Sequence, residues 1–160
     1  MRRPKRPMSF RNPRLGVIAL PLLLALAGFG LAARRSVAAD PFVVIVNASN
    51  PVASISVEDL SKAFMKKATR WPDGVEILPV DLKEQSAVRE DFSRLIHDKS
   101  TSAVRAYWQK MIFSGREVPP PEKASSAEVL AFVRSKRGAI GYLAAETAVG
   151  EGIKVLKVMR

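Results

Sequence analysis

All 15 acidic residues of this 160-residue chain lie at or beyond Asp40, whereas eight of its 26 lysines and arginines fall before it. The chain therefore has two parts of different physical character. Residues Met1 to Arg14 carry Arg2, Arg3, Lys5, Arg6, Arg11 and Arg14, and an apolar run from Leu15 to Ala33 follows. After Arg34 and Arg35 comes the small-residue stretch Ser36-Val37-Ala38-Ala39. A basic start, an apolar middle and a small-residue end have the layout of a secretory signal, with cleavage expected after Ala38 or Ala39. The run is also long enough to span a bilayer, and Arg34-Arg35 resists translocation, so an uncleaved membrane anchor is the rival expectation. Arg2-Arg3 lacks the rest of a twin-arginine motif. Residues 1–39 are read as the leader and 40–160 as an exported, periplasmic domain.

The formal charge of +11 suggests a nucleic-acid partner only until the leader is set apart. Beyond residue 39 there remain 18 cations against 15 anions, a net charge near +3. With no continuous basic stripe, the sequence gives no support to nucleic-acid binding. A domain of about 120 residues buries roughly two-thirds of its unfolded surface, sufficient for one core. The chain has no cysteine, so neither a disulfide framework nor thiol chemistry is available.

Hydrophobic periodicity orders the domain. Phe42 to Val46 is a β-branched run expected as a buried strand. Ser56 caps a predicted helix with Val57, Leu60, Ala63 and Phe64 on one face, and Trp71-Pro72-Asp73-Gly74 is a turn before a strand over 75–80. Ser86 opens a second predicted helix, its stripe made of Val88, Phe92, Leu95 and Ile96. A third from Thr101 carries Val104, Tyr107, Trp108, Met111 and Ile112. Ser125-x-x-Glu128 is a capping box for a fourth with Val129, Leu130 and Val133, which stops at Lys136-Arg137-Gly138. Strands follow over 139–143 and 153–158. The order β-α-β-α-α-α-β-β implies an α/β fold, a mostly parallel sheet flanked by helices. Ligands in such sheets sit at the carboxyl ends of strands, here the segment Asp81 to Arg89.

Several residue patterns carry a family resemblance. They are Val44-Ile45-Val46-Asn47, Leu60-x-x-Ala63-Phe64, Thr69 to Gly74, Ile77-Leu78-Pro79-Val80-Asp81 and Ser86-x-x-Arg89-x-x-Phe92. Tyr107-Trp108, Phe113-Ser114-Gly115 and Gly138-Ala139-Ile140-Gly141-Tyr142 complete the set. In order and spacing the chain resembles the second lobe of phosphate-binding proteins of ABC transporters. It closely resembles a short, single-lobe group described as phosphate transporter substrate-binding-like. The resemblance implies one lobe of a periplasmic binding protein type II-like fold, binding phosphate or a similar oxyanion. In the two-lobed family the second lobe supplies a Ser-Gly-Thr turn at a helix start and an arginine just before it. Ser86 matches the serine, Ala87 and Val88 replace glycine and threonine, and the arginine position falls near Leu82, with Lys83 beside it. One lobe alone cannot close a clamp, so buried binding is expected to require a homodimer or a transporter component.

The residues support the same site independently. A helix N-terminus presents unsatisfied N–H groups and partial positive charge to an anion. The expected ligand-binding residues are Ser86, Ala87, Val88 and Arg89, with Lys83 as an alternative cation; Asp81 either accepts from a protonated phosphate oxygen or is a surface or loop-capping carboxylate. Ser86 is equally explained as a simple N-cap. Asn47 and Asn50 are candidates for the rim or for turn formation. Trp71, Tyr107 and Trp108 can stack a ligand, although the spacing of the last two favours packing. His97, the only histidine, is expected exposed at a helix end, and a lone histidine without cysteine makes no typical zinc site. No Ser-His-acid constellation or phosphate loop is identifiable. The sequence is read as a binding module with no catalytic residues, metal or cofactor. The alternative is an envelope protein-interaction module on the same fold that has lost solute binding.

Overall fold

In the computed structural model, residues 40–160 are described, and the expected leader over 1–39 lies outside them. The element order is β1 (Phe42–Asn47), β2 (Ser54–Ser56), α1 (Val57–Phe64), β3 (Leu78–Pro79), β4 (Asp81–Leu82), α2 (Ala87–His97), α3 (Thr101–Phe113), β5 (Glu122–Lys123), α4 (Ser126–Ser135), β6 (Ala139–Ala144) and β7 (Ile153–Met159). Five strands form one sheet in the order β2-β7-β1-β6-β3, while β4 and β5 pair separately in parallel.

The α/β class is as expected, but the sheet is mixed. β1 runs antiparallel to both β6 and β7, whereas β2–β7 and β3–β6 are parallel pairs. β2, β3, β6 and β7 thus share one direction, and the central strand opposes them all. Five apolar residues in a row encode burial on both faces, not strand direction. Phe42 pairs with Ala144 and Val44 with Leu156, so β6 and β7 end beside the start of β1. β2 ends at that edge too and runs directly into α1.

The expected strand over 75–80 is divided. Trp71 N–H donates to Val75 O (2.8 Å) and Ile77 N–H to Thr69 O (2.9 Å), so residues 75–77 close a hairpin over the Trp71 turn. Only Leu78–Pro79 joins the main sheet; Asp81–Leu82 turns away to meet Glu122–Lys123.

The core lies between sheet and helices. Ile45, Val46, Leu60, Val80, Val129, Val133, Ile140 and Leu143 are fully buried. An aromatic group joins three elements: the Tyr142 ring stacks on Phe92 at 3.9 Å and 5°, and Phe64 meets Phe92 at 4.7 Å. This packing holds α2 against β6 and aims the Tyr142 hydroxyl at the β3–β4 junction. The expected stripe of α2 is corrected in part. Arg89, Phe92, Ser93 and Ile96 are its buried residues, Val88 is half-buried and Leu95 is exposed. On α3, Val104 and Trp108 are buried with Met65 in a small separate cluster, Tyr107 and Met111 pack on it, and Ile112 is exposed.

Gly138 does not act as a left-handed helix cap. The C-cap of α4 is Lys136, in extended conformation, and the glycine allows a close approach: a Cβ there would stand 1.9 Å from Glu76 O. Gly141 is likewise packed against Val129, Val80 and Val133.

Candidate functional site

Asp81 opens β4, just after the chain leaves the main sheet, with its side chain turned inward. The Tyr142 hydroxyl donates to Asp81 Oδ1, which also accepts from Leu82 N–H (2.9 Å). Arg89, in the first turn of α2, places Nη2 3.1 Å from Asp81 Oδ2 and Nη1 2.6 Å from Glu122 Oε1, and Nη1 also donates to Leu82 O. Arg89 is 5% exposed and Asp81 8% exposed, so the pair is sealed beneath the surface. Glu122 reaches it from β5, which ties the β4–β5 ribbon to α2.

Electrostatics follow from this burial. Loss of water pushes the Asp81 carboxyl above its ordinary range against the pull of Arg89, Tyr142 and the Leu82 amide. Burial opposes charge on Arg89, but Asp81, Tyr142 and Glu122 outweigh it and hold the guanidinium ionised. Burial and then Asp81 push the Tyr142 hydroxyl far up, leaving it a neutral donor. Arg89 Nε is buried without a hydrogen-bond partner among the described residues, a polar group left unsatisfied at the centre of the network.

Above this network lies the start of α2. Ser86 occupies the N-cap position in extended conformation, yet its side chain makes no capping hydrogen bond. The equivalent serines of the other three helices all cap: Ser56 accepts from Asp59 N–H, Ser100 from Ala103 N–H and Ser125 from Glu128 N–H. Among the described residues, the amides of Ala87, Val88 and Arg89 have no backbone acceptor outside the helix, and they precede its first internal bonds. Ser86 and Val88 are half-buried, Ala87 and Lys83 exposed. Glu84 is paired with Arg105 (3.0 Å), whereas Glu90 in the first turn is exposed.

The six expected residues thus fall into two layers. Lys83, Ser86, Ala87 and Val88 lie at or near the surface; Asp81 and the Arg89 side chain lie below, occupied with each other. The Arg89 guanidinium is held by protein acceptors, and both Asp81 oxygens already have donors. Glu122 and Tyr142 were not foreseen as members. Tyr142 carried a usable signal: a buried tyrosine needs a partner for its hydroxyl.

The remaining candidates have structural roles. Asn47 is buried and donates from Nδ2 to Val133 O (3.0 Å) and Arg134 O (2.9 Å), terminating α4. Asn50 Oδ1 accepts from Val52 N–H in a turn. Trp71 is buried, its Nε1–H on Gly138 O (3.0 Å). His97, expected at the surface, is half-buried between Phe92 and Ser61, with Nδ1 2.9 Å from Ser61 Oγ. Burial, Arg89, Lys99 and Lys67 lower its pKa to about 4. Among the described residues, no group of histidine, cysteine and carboxylate side chains could hold a metal, and no helix is long and apolar enough to cross a membrane.

The fold is similar to known solute receptors. An ABC-type phosphate transport receptor from Vibrio cholerae superposes with a TM-score of 0.58 at 20% identity, over 74% of this chain and 46% of that one. PstS from Borrelia burgdorferi gives 0.55 at 17% identity, over 74% and 47%. A possible phosphate binding protein from Planctomyces limnophilus gives 0.54 at 20% identity, over 75% and 42%. The chain therefore spans less than half the length of each. No curated protein matches it. The family model described as a PBP superfamily domain matches residues 24–157, and on that match over most of its length the chain belongs to this family of solute-binding folds.

Proposed function

We propose that this chain is an exported, periplasmic binding module, not an enzyme, that takes phosphate or a related oxyanion in connection with ABC-type transport. Residues 1–39 are its leader and 40–160 its binding domain. The anion sits at the start of α2, held by the Ser86 hydroxyl and the amides of Ala87, Val88 and Arg89, with Lys83 as a mobile cation. Asp81 and the Arg89 side chain act from below: they fix the β4–α2 turn so that these donors point outward together. The helix dipole adds partial positive charge at the same place.

The observation that carries this reading is the Ser86 hydroxyl, which among the four described helices is the one N-cap serine that leaves its helix uncapped. A hydroxyl without a capping partner and amides without a backbone acceptor, at a half-buried helix start, are the donor types an oxyanion takes. Likeness to phosphate receptors supports the choice of ligand. The chain covers 42–47% of those receptors, and an enclosing surface from a second copy or a transporter component belongs to the proposal. The test is calorimetric titration with phosphate and then sulfate, for wild type and Ser86→Ala. Saturable heat that weakens at least tenfold in the variant is expected; equal binding by both would remove the site.

A second reading, an envelope protein-interaction module, is favoured by one apolar patch. Phe113 is 90% exposed at the end of α3, beside exposed Ile112 and with exposed Val118 just beyond. It predicts a stable homodimer or envelope partner with no phosphate response.

A further inference from the structure

Two backbone edges flank a groove of about 390 Å³ whose lining includes no residue of α2. One is β2, an edge strand of the five-stranded sheet among the described residues. Lys157 N–H donates to Ala53 O (3.2 Å), and in the parallel register of β2 with β7 this places Ile55 as the residue bonded to β7. The N–H and C=O of Ser54 therefore point away from the sheet. The other edge is the hairpin over residues 69–77. Its bonds from Trp71 N–H to Val75 O and from Ile77 N–H to Thr69 O make Arg70–Glu76 the non-hydrogen-bonded pair, so the N–H and C=O of Arg70 also point outward. Ser54 and Arg70 both line the groove.

Val52, Ile55, Trp71, Ile77 and Met159 give the groove an apolar floor and wall. Its rim carries charges of opposite sign, exposed Arg70 on the hairpin and exposed Asp59 in the first turn of α1. β2 itself, Ser54-Ile55-Ser56, carries no lysine or proline; its protection against pairing is its length of three residues, which leaves room for one short segment.

We propose that this groove receives an extended peptide segment of a partner protein, which adds as a strand to β2. Its backbone pairs with Ser54 on one side and Arg70 on the other, and an apolar side chain enters the floor. An acidic residue meets Arg70 and a basic residue meets Asp59. Main-chain pairing supplies affinity and the alternate side chain supplies selectivity. This site is independent of the oxyanion reading, since neither Ser86 nor phosphate takes part.

The test follows the Arg70 amide resonance of the isotope-labelled full chain, without phosphate. The probes are acetyl-Lys-Thr-Val-Thr-Asp-amide, its reversed sequence, and acetyl-Lys-Ser-Gly-Ser-Asp-amide as the control. A saturable shift is expected with one of the two valine peptides, at least tenfold tighter than the control, weakening at high salt. Ser54→Pro removes an outward N–H without touching the β7 ladder and should weaken binding at least tenfold. Should that variant disturb the Tyr142 amide, Met159→Lys, which charges the floor at an exposed residue, serves instead. No saturable shift, equal response to the control, unchanged binding in the variants, or a shift produced by raising the chain's own concentration would each overturn the proposal. The last would place a second copy in the groove.

Discussion

Arg89 Nη2 stands 3.1 Å from Asp81 Oδ2, and this buried pair joins the turn after β3 to the first turn of α2. Breaking one partner leaves an uncompensated charge in a dry interior, which costs about 3–5 kcal/mol. Arg89→Met should therefore destabilise by roughly that amount in urea unfolding. Glu122→Gln should cost under about 1 kcal/mol, because that carboxylate is half in water. Equal losses for both would show that Asp81 is not the essential partner.

Tyr142→Phe keeps the ring stacked on Phe92 and removes only the hydroxyl that donates to Asp81. A loss of about 1–3 kcal/mol is expected from the unsatisfied carboxyl. The near-ultraviolet circular dichroism of the aromatic group should remain native-like. A collapse of that signal would mean that the hydroxyl also orders the core.

His97 gives the fold a pH dependence with a definite sign. Its pKa falls from 6.5 in the unfolded chain to about 4 in the fold, mainly by burial. Between these values the unfolded state binds more protons, so stability present above pH 6.5 is lost as pH falls toward about 4. The difference amounts to about 2–3 kcal/mol for a half-buried group. Unfolding measured at neutral and acidic pH should show a slope that His97→Asn flattens. An unchanged slope in the variant would assign the acid sensitivity to carboxylates instead.

Gly138→Ala and Gly141→Ala should both destabilise, for different reasons. At Gly141 the added methyl meets Val129 Cγ1 at 2.8 Å and Val80 Cγ1 at 3.0 Å, side chains that shift at a cost of about 1–3 kcal/mol. At Gly138 it meets a backbone oxygen at 1.9 Å, so the hairpin must move and the loss should be larger. Thermal melts of the two variants decide the order; the reverse order would show that the hairpin yields more easily than the core.

The long apolar runs and the caps at Ser56 and Ser125 were legible in the sequence because their signals are local. β1, β6, α1 and α4 stand close to where periodicity put them. Ser125 caps α4 by accepting from Glu128 N–H, while the Glu128 carboxylate accepts from the Ser125 hydroxyl and from Ala124 N–H in place of the Ser125 N–H of a full capping box. Strands of two or three residues were not legible: Ser54–Ser56 and Glu122–Lys123 are strands only because β7 and β4 lie beside them. Direction within the sheet is similarly a property of the partners, so the reversed central strand was missed. Arg89 illustrates a signal present but read on chemistry alone. It recurs with Phe92, Ser93 and Ile96 at helical spacing, which places it on the buried stripe. Its two carboxylate partners, distant in sequence, account for how a guanidinium can lie there.

The most direct test of the oxyanion site is calorimetric titration of phosphate into the full chain, dialysed free of the ion, beside Ser86→Ala. The account predicts saturable binding by wild type, at least tenfold weaker binding by the variant, and unchanged melting of the unliganded proteins. Binding that ignores Ser86, or no heat and no thermal shift with either protein, would contradict it.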